Sequence, residues 1–195
     1  VGNHTHRDSE FIPGGSGLKM PKGHDLSGAQ KFCLVILRMA IGWHFLSEGI
    51  GKIQSLTWSS AGYLTSSFGP FSYLFQEMLK EENAWFLHIA DLMVTYGLIV
   101  VGAGLLLGLF TRLGCVVGLM LLALFYVSMP PWEWTPMPGT ESNYLIVNKN
   151  IIEALGLLII LAFPTGRFAG LDALLYPLIG QYMPEWLVGA RSKEA

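Results

Sequence analysis

The chain has 195 residues, of which 12 are Lys or Arg and 14 Asp or Glu, against 52% hydrophobic residues and a mean hydropathy of +0.47. That is about half the charge of an ordinary soluble domain, which argues for a membrane protein. A net charge of −2 with dispersed Lys and Arg gives nucleic acid no basic footprint. Cys33 and Cys115 lie in separate apolar stretches, so buried thiols are expected rather than a disulfide framework.

Residues 1–30 are polar and rich in Gly, Pro and His, and read as an extended arm with no apolar leader in the residues given. The first predicted span, about 32–50, is apolar except for Arg38, His44 and Glu48. Arg38 lies roughly 9 Å into that span by helical rise, where structural pairing between helices or lipid contact is its expected role. The outer segment 52–86 is too long and too aromatic for an inert linker and should fold back on the helix ends. It carries Trp58, Tyr63, Phe68, Phe71, Tyr73 and Phe75.

The second span, about 87–110, opens on His88 and Asp91, and the third covers about 113–129. Leu92–Thr111 and Leu113–Trp132 are each 20 residues without Asp, Glu, Lys, Arg or His, the length a helix needs to cross about 30 Å of hydrocarbon. Only Thr111 and Arg112 separate these spans, so they form an antiparallel pair. Gly104-x-x-x-Gly108 and Gly114-x-x-x-Gly118 should let their backbones approach. A Pro-rich outer loop, 130–147, leads to a fourth and shorter span, about 148–165, that carries Lys149 and Glu153. Residues 167–195 predict an amphipathic helix on the inner surface, from Phe168 to Trp186, with breaks near Pro177 and Pro184.

The fold class expected is therefore an all-α membrane protein, a four-helix transmembrane bundle with an amphipathic carboxyl-terminal helix. Eight of the twelve cations fall on the side of both termini and three on the other. By the positive-inside rule both termini are cytoplasmic and the protein sits in the cytoplasmic (inner) membrane.

Ionisable groups within spans are costly and need a reason. His44, Glu48 and Lys52 are spaced i, i+4, i+8 on one face; His88, Asp91 and Thr95 open span two; Lys149 and Glu153 are again i, i+4. All three stripes fall at the same outer depth, which predicts a polar pocket. Imidazole and carboxylate at the edge of an apolar cavity can hydrogen-bond a quinone and exchange its protons. His44, Glu48, Lys52, His88, Asp91 and Glu153 are the candidates for binding quinone or a lipid. His44-x-x-x-Glu48 and His88-x-x-Asp91 could instead offer metal ligands, but no Cys cluster or Glu-x-x-His repeat supports a metal, and none is expected. No flavin, haem or iron–sulfur motif is visible, so any electrons would come from a partner.

Span one reads Arg38-x-x-x-Gly42-x-x-Phe45-x-x-x-Gly49-x-x-Lys52. With the Gly108-Leu109-Phe110-Thr111-Arg112 turn and the Lys149-Asn150 start of span four, the chain resembles the DoxX/DoxD-like membrane protein family over about residues 30–175. The resemblance implies a four-helix subunit accessory to a redox membrane complex, respiratory or photosynthetic. The alternative it implies is the catalytic membrane subunit of a thiosulfate:quinone oxidoreductase-like enzyme. Many relatives place a Glu early in span two, where this chain has Val94-Thr95-Tyr96-Gly97 and Asp91 as its nearest carboxylate. Beyond the lipid bilayer, other subunits are the expected partners, met through the amino-terminal arm and the carboxyl-terminal helix.

Overall fold

A computed structural model describes residues 26–55, 57–67, 70–131 and 146–179. Within them the chain forms eight α-helices and no strand: α1 (Gly28–Gln54), α2 (Ala61–Thr65), α3 (Ser72–Glu77), α4 (Ala84–Leu107), α5 (Thr111–Ser128), α6 (Lys149–Ala162), α7 (Thr165–Phe168) and α8 (Leu171–Ile179). A single 3-10 turn, Glu81–Asn83, leads into α4. The amino-terminal arm through residue 25, most of the Pro-rich loop and the chain from residue 180 lie outside the described residues.

Local chemistry sets the helix ends. Ser27 starts α1 with a capping box: its hydroxyl accepts the Gln30 amide at 3.3 Å, and the Gln30 side chain accepts the Ser27 amide at 2.8 Å. α4 stops at Gly108, whose φ of 63° is open to glycine and strained for most other residues. The Asn148 side chain accepts the Ile151 amide at 3.2 Å and starts α6.

Among the described residues three helices are long and apolar enough to cross a membrane: α1, α4 with its leading turn, and α5. The fourth expected span differs. α6 has 14 residues, about 21 Å of rise, which is less than the roughly 30 Å of hydrocarbon a span must cover. Exposed apolar side chains such as Phe32, Trp43, Met93, Val100 and Met120 cover the outside of the long helices. In water such a surface would drive aggregation, and in a bilayer it faces its proper solvent.

α1, α4, α5 and α6 close into a bundle, α1 packing on α4 and α6, and α5 on α4 and α6. Phe45, Leu105, Cys115, Leu157 and Ile160 lie at its centre with almost no exposure. The closest backbone approach is between α1 and α4. A Cβ added at Gly42 would lie 2.8 Å from the Leu106 amide, and one at Gly49 would lie 3.0 Å from the Ile99 amide. Gly102 faces Gly42 and Leu46 across the same crossing. This differs from the expected Gly-mediated α4–α5 contact: Gly114 meets Leu105 at an ordinary 3.5 Å, and Gly118 makes room for Leu157 of α6. α4 and α5 meet through side chains, Gly114 against Leu105 and Gly97 against Leu121.

The turn between α4 and α5 is clamped by α7 and α8. Arg38, 2% exposed, donates from Nη1 to the Thr165 carbonyl at 2.8 Å and from Nη2 to the Ala169 carbonyl at 2.6 Å. Asp172, in the first turn of α8, accepts the Phe110 and Thr111 amides at 2.7 and 3.0 Å, and its own amide donates to the Gly108 carbonyl at 2.8 Å. Arg38 thus ties α1 to α7 and to the residue that follows it. Of the stretch from Phe168 to Trp186 where an amphipathic helix was expected, α8 covers Leu171–Ile179, with Leu174 and Leu178 exposed; it continues through Pro177 to the last described residue, and Pro184 and Trp186 lie outside the described residues.

Candidate functional site

At the opposite end of the bundle, α1 and α6 bring five ionisable side chains together. Helical spacing puts His44, Glu48 and Lys52 on one face of α1, and Lys149 and Glu153 on the facing side of α6. His44 Nε2 lies 3.3 Å from Glu153 Oε1 and 3.9 Å from Glu48 Oε1. Lys52 Nζ donates to Glu48 Oε2 at 3.1 Å, and Lys149 Nζ lies 3.6 Å from Glu48 Oε1. Glu48 thus receives both lysines, while Glu153 faces the imidazole. Two ammonium and two carboxylate groups cancel, so a neutral imidazole leaves the cluster without net charge.

These groups form the polar rim of a cavity of about 520 Å³, within the range of cavities that hold small ligands. Phe45 of α1, Val94 and Leu98 of α4 and Leu122 of α5 form its apolar depth. Trp58, Leu64, Phe75 and Met78 cover it from the segment between α1 and α4, as the expected folding back of that segment requires. His44, Glu48 and Lys149 are each 37–42% exposed at the side chain, so the rim reaches solvent or headgroups while the depth is closed. Lys52 is the more buried lysine and lies 5.0 Å over the Trp58 ring, where the cation meets the negative face of the indole.

The stripe predicted on span two behaves differently. Asp91 does not join the ion-pair network. Its carboxylate accepts Ser59 Oγ and the Ser60 amide at 2.8 Å each, together with the Ser60 hydroxyl. These bonds fasten the start of α2 to α4. His88 is exposed on α4 and lies outside the cavity lining. Thr95 is buried beneath Gly49 in the α1–α4 crossing. Of the predicted candidates, His44, Glu48, Lys52 and Glu153 gather at the cavity together with Lys149, and Asp91 and His88 do not.

Two functional features had little local signal. Tyr63 lines the cavity and donates its hydroxyl to the Phe125 carbonyl at 3.1 Å. The residue is 36% exposed, and the partial burial of its phenol pushes it up to about 12. Trp58 stood in the sequence only as one of several aromatics in the outer segment, and it covers Lys52 and the cavity. Its place beyond the end of α1 was the available signal; the cation beneath it was not.

Among the described residues no group of three or more His, Cys, Asp or Glu side chains is placed to hold a metal ion. No curated protein and no solved structure matches the chain. The match that exists is to a family: residues 33–129, from the second turn of α1 to the end of α5, fit the DoxX family model. Lys149 and Glu153 lie beyond the matched stretch. With three helices long and apolar enough to cross a bilayer, this is a membrane protein with a DoxX-like core.

Proposed function

We propose that the cavity binds a neutral, polar-headed, lipid-soluble carrier of the quinone class or a lipid of similar form, and that the chain is an accessory subunit of a redox membrane complex. The observation that carries this reading is the junction of a charge-balanced rim with an apolar chamber of about 520 Å³. A permanently ionic headgroup gains no net field from two Lys and two Glu, whereas a neutral carbonyl or hydroxyl finds donors and acceptors on His44, Lys149 and Glu153. The His44–Glu153 pair offers a bound ring hydrogen-bonding partners, and Lys52 and Lys149 both hold Glu48.

The chain's contribution is to bind and orient the carrier, and its electrons come from a partner subunit. The exposed Leu174 and Leu178 of α8 give lipid or such a subunit an apolar face. The distribution of Lys and Arg supports a cytoplasmic-membrane location, with the cavity towards the outer side and both termini cytoplasmic.

The test is extraction in native lipid followed by analysis of bound lipids and quinones. Wild type should retain quinone and a Glu48→Gln/Glu153→Gln variant should lose at least 80% of it. Equal retention by the two would refute the assignment. Co-purification after mild detergent extraction should recover redox subunits, and isolation of the chain alone under those conditions would remove the accessory role.

A further inference from the structure

The segment over the cavity cannot hold itself in place. α2 has five residues and α3 six, too few for either to be stable by its own hydrogen bonds. Nevertheless Leu64 of α2 and Phe75 of α3 are buried at 7% and 9% exposure, facing the chamber. Their position is imposed by tethers to the long helices.

Three such tethers are present. Lys52 of α1 lies beneath Trp58 at 5.0 Å. From α5, the Phe125 carbonyl accepts the Tyr63 hydroxyl at 3.1 Å and the Ser128 carbonyl accepts the Ser67 hydroxyl at 2.6 Å. From α4, Asp91 accepts three hydrogen bonds from Ser59 and Ser60 at the start of α2. Asp91 is the one charged acceptor in this set, and an ionised carboxylate binds such donors more strongly than a neutral carbonyl does. Both carboxylate oxygens of Asp91 are engaged by these bonds to the cap.

We propose that Asp91 is a positioning residue whose carboxylate holds the α2–α3 segment closed over the cavity, and thereby sets the rate at which a ligand enters and leaves. Head-group recognition belongs to the α1–α6 wall and retention to the α4 tether. The identity of the occupant rests on the quinone-type reading above; the closure does not.

A reporter cysteine in the depth of the cavity separates the two. Val94 is 8% exposed and lines the chamber, so Val94→Cys is introduced with Cys33→Ser to remove the exposed native thiol, while the buried Cys115 is kept. The full chain is reconstituted in lipid nanodiscs and its rate of labelling by fluorescein maleimide is measured. Asp91→Ala should raise that rate at least tenfold with the thermal unfolding midpoint shifted by less than about 5 °C. Asp91→Asn, which keeps one acceptor oxygen, should fall between. If Asp91→Ala does not fold, Ser59→Ala/Ser60→Ala, which removes the hydroxyl donors from the cap itself, should give the same direction of change. An unchanged labelling rate in the folded variants overturns the proposal.

Decylubiquinone dissociation, followed by recovery of Trp58 fluorescence, should accelerate at least fivefold in Asp91→Ala. Absence of decylubiquinone binding to wild type would refute the occupant, and the labelling rates would still decide the closure.

Discussion

Asp172 and Phe110 are 62 residues apart in the chain, and the Asp172 carboxylate accepts the Phe110 amide at 2.7 Å. Phe110 has a φ of 47°, a left-handed conformation that costs a non-glycine residue about 1–3 kcal/mol. The carboxylate offsets that cost and caps the start of α5 through the next amide as well. One side chain of α8 thus stabilises the turn that joins the antiparallel α4–α5 pair.

Asp172→Ala should destabilise the protein by about 2 kcal/mol, the combined effect of a lost cap and lost charge-assisted hydrogen bonds at a partly exposed site. The corresponding drop in thermal midpoint is about 4–8 °C for a chain of this size. Differential scanning fluorimetry in detergent checks it. A drop of under 1 °C would mean that the turn stands without its clamp.

Two Gly→Ala changes should have opposite signs. At Gly102 an added Cβ would run into the backbone of Leu46 and Gly42, and the helices would have to separate, at about 1–3 kcal/mol. At Gly51, near the end of α1, nothing lies within 4 Å, so alanine should gain up to about 1 kcal/mol of helix propensity. Thermal midpoints of the two variants measured side by side would test the assignment of the α1–α4 crossing.

Leu122→Trp should fill the depth of the cavity, where Leu122 is 3% exposed. The variant should keep its thermal midpoint within about 5 °C, because the added ring occupies space already open, and should lose decylubiquinone binding at least tenfold. Retained binding with a folded protein would place the ligand elsewhere.

The Tyr63 phenol, in a residue that is 36% exposed, is pushed up to about 12 by partial burial, from an ordinary value of 10.0. A raised value favours the neutral form in the folded protein, so this contribution is complete below pH 10 and is lost as pH rises towards 12. The difference in thermal midpoint between wild type and Tyr63→Phe should therefore be constant up to about pH 10 and shrink above it. A difference that stays flat throughout would show that Tyr63 ionises alike in both states.

What the sequence revealed and what it hid follow one physical division. His44, Glu48 and Lys52 share a face because helical periodicity places them there, and Lys149 with Glu153 follows the same rule, so half of each wall of the site was visible before folding. Asp91 obeyed the same periodicity within span two, yet its bonds go to Ser59 and Ser60, partners fixed by the path of an irregular segment rather than by helical spacing. His88 shared that stripe and faces outward. Arg38 finds its carbonyls 127 and 131 residues away, a separation no local pattern encodes. The glycines were read as α4–α5 spacers because they flank a tight turn; the closest crossing is α1 with α4, and Gly42, Gly49 and Gly102 make it.

The shortness of α6 has a consequence for the surrounding lipid. Its 14 residues rise about 21 Å, some 9 Å less than the hydrocarbon thickness, and its first residues include Lys149 and Glu153. A bilayer meets such a shortfall by thinning locally or by letting water down to the helix end. The protein would then sit beside a dimple at the edge of its own cavity. A headgroup sliding in along that depression would give up less of its hydration than one pulled down through intact hydrocarbon.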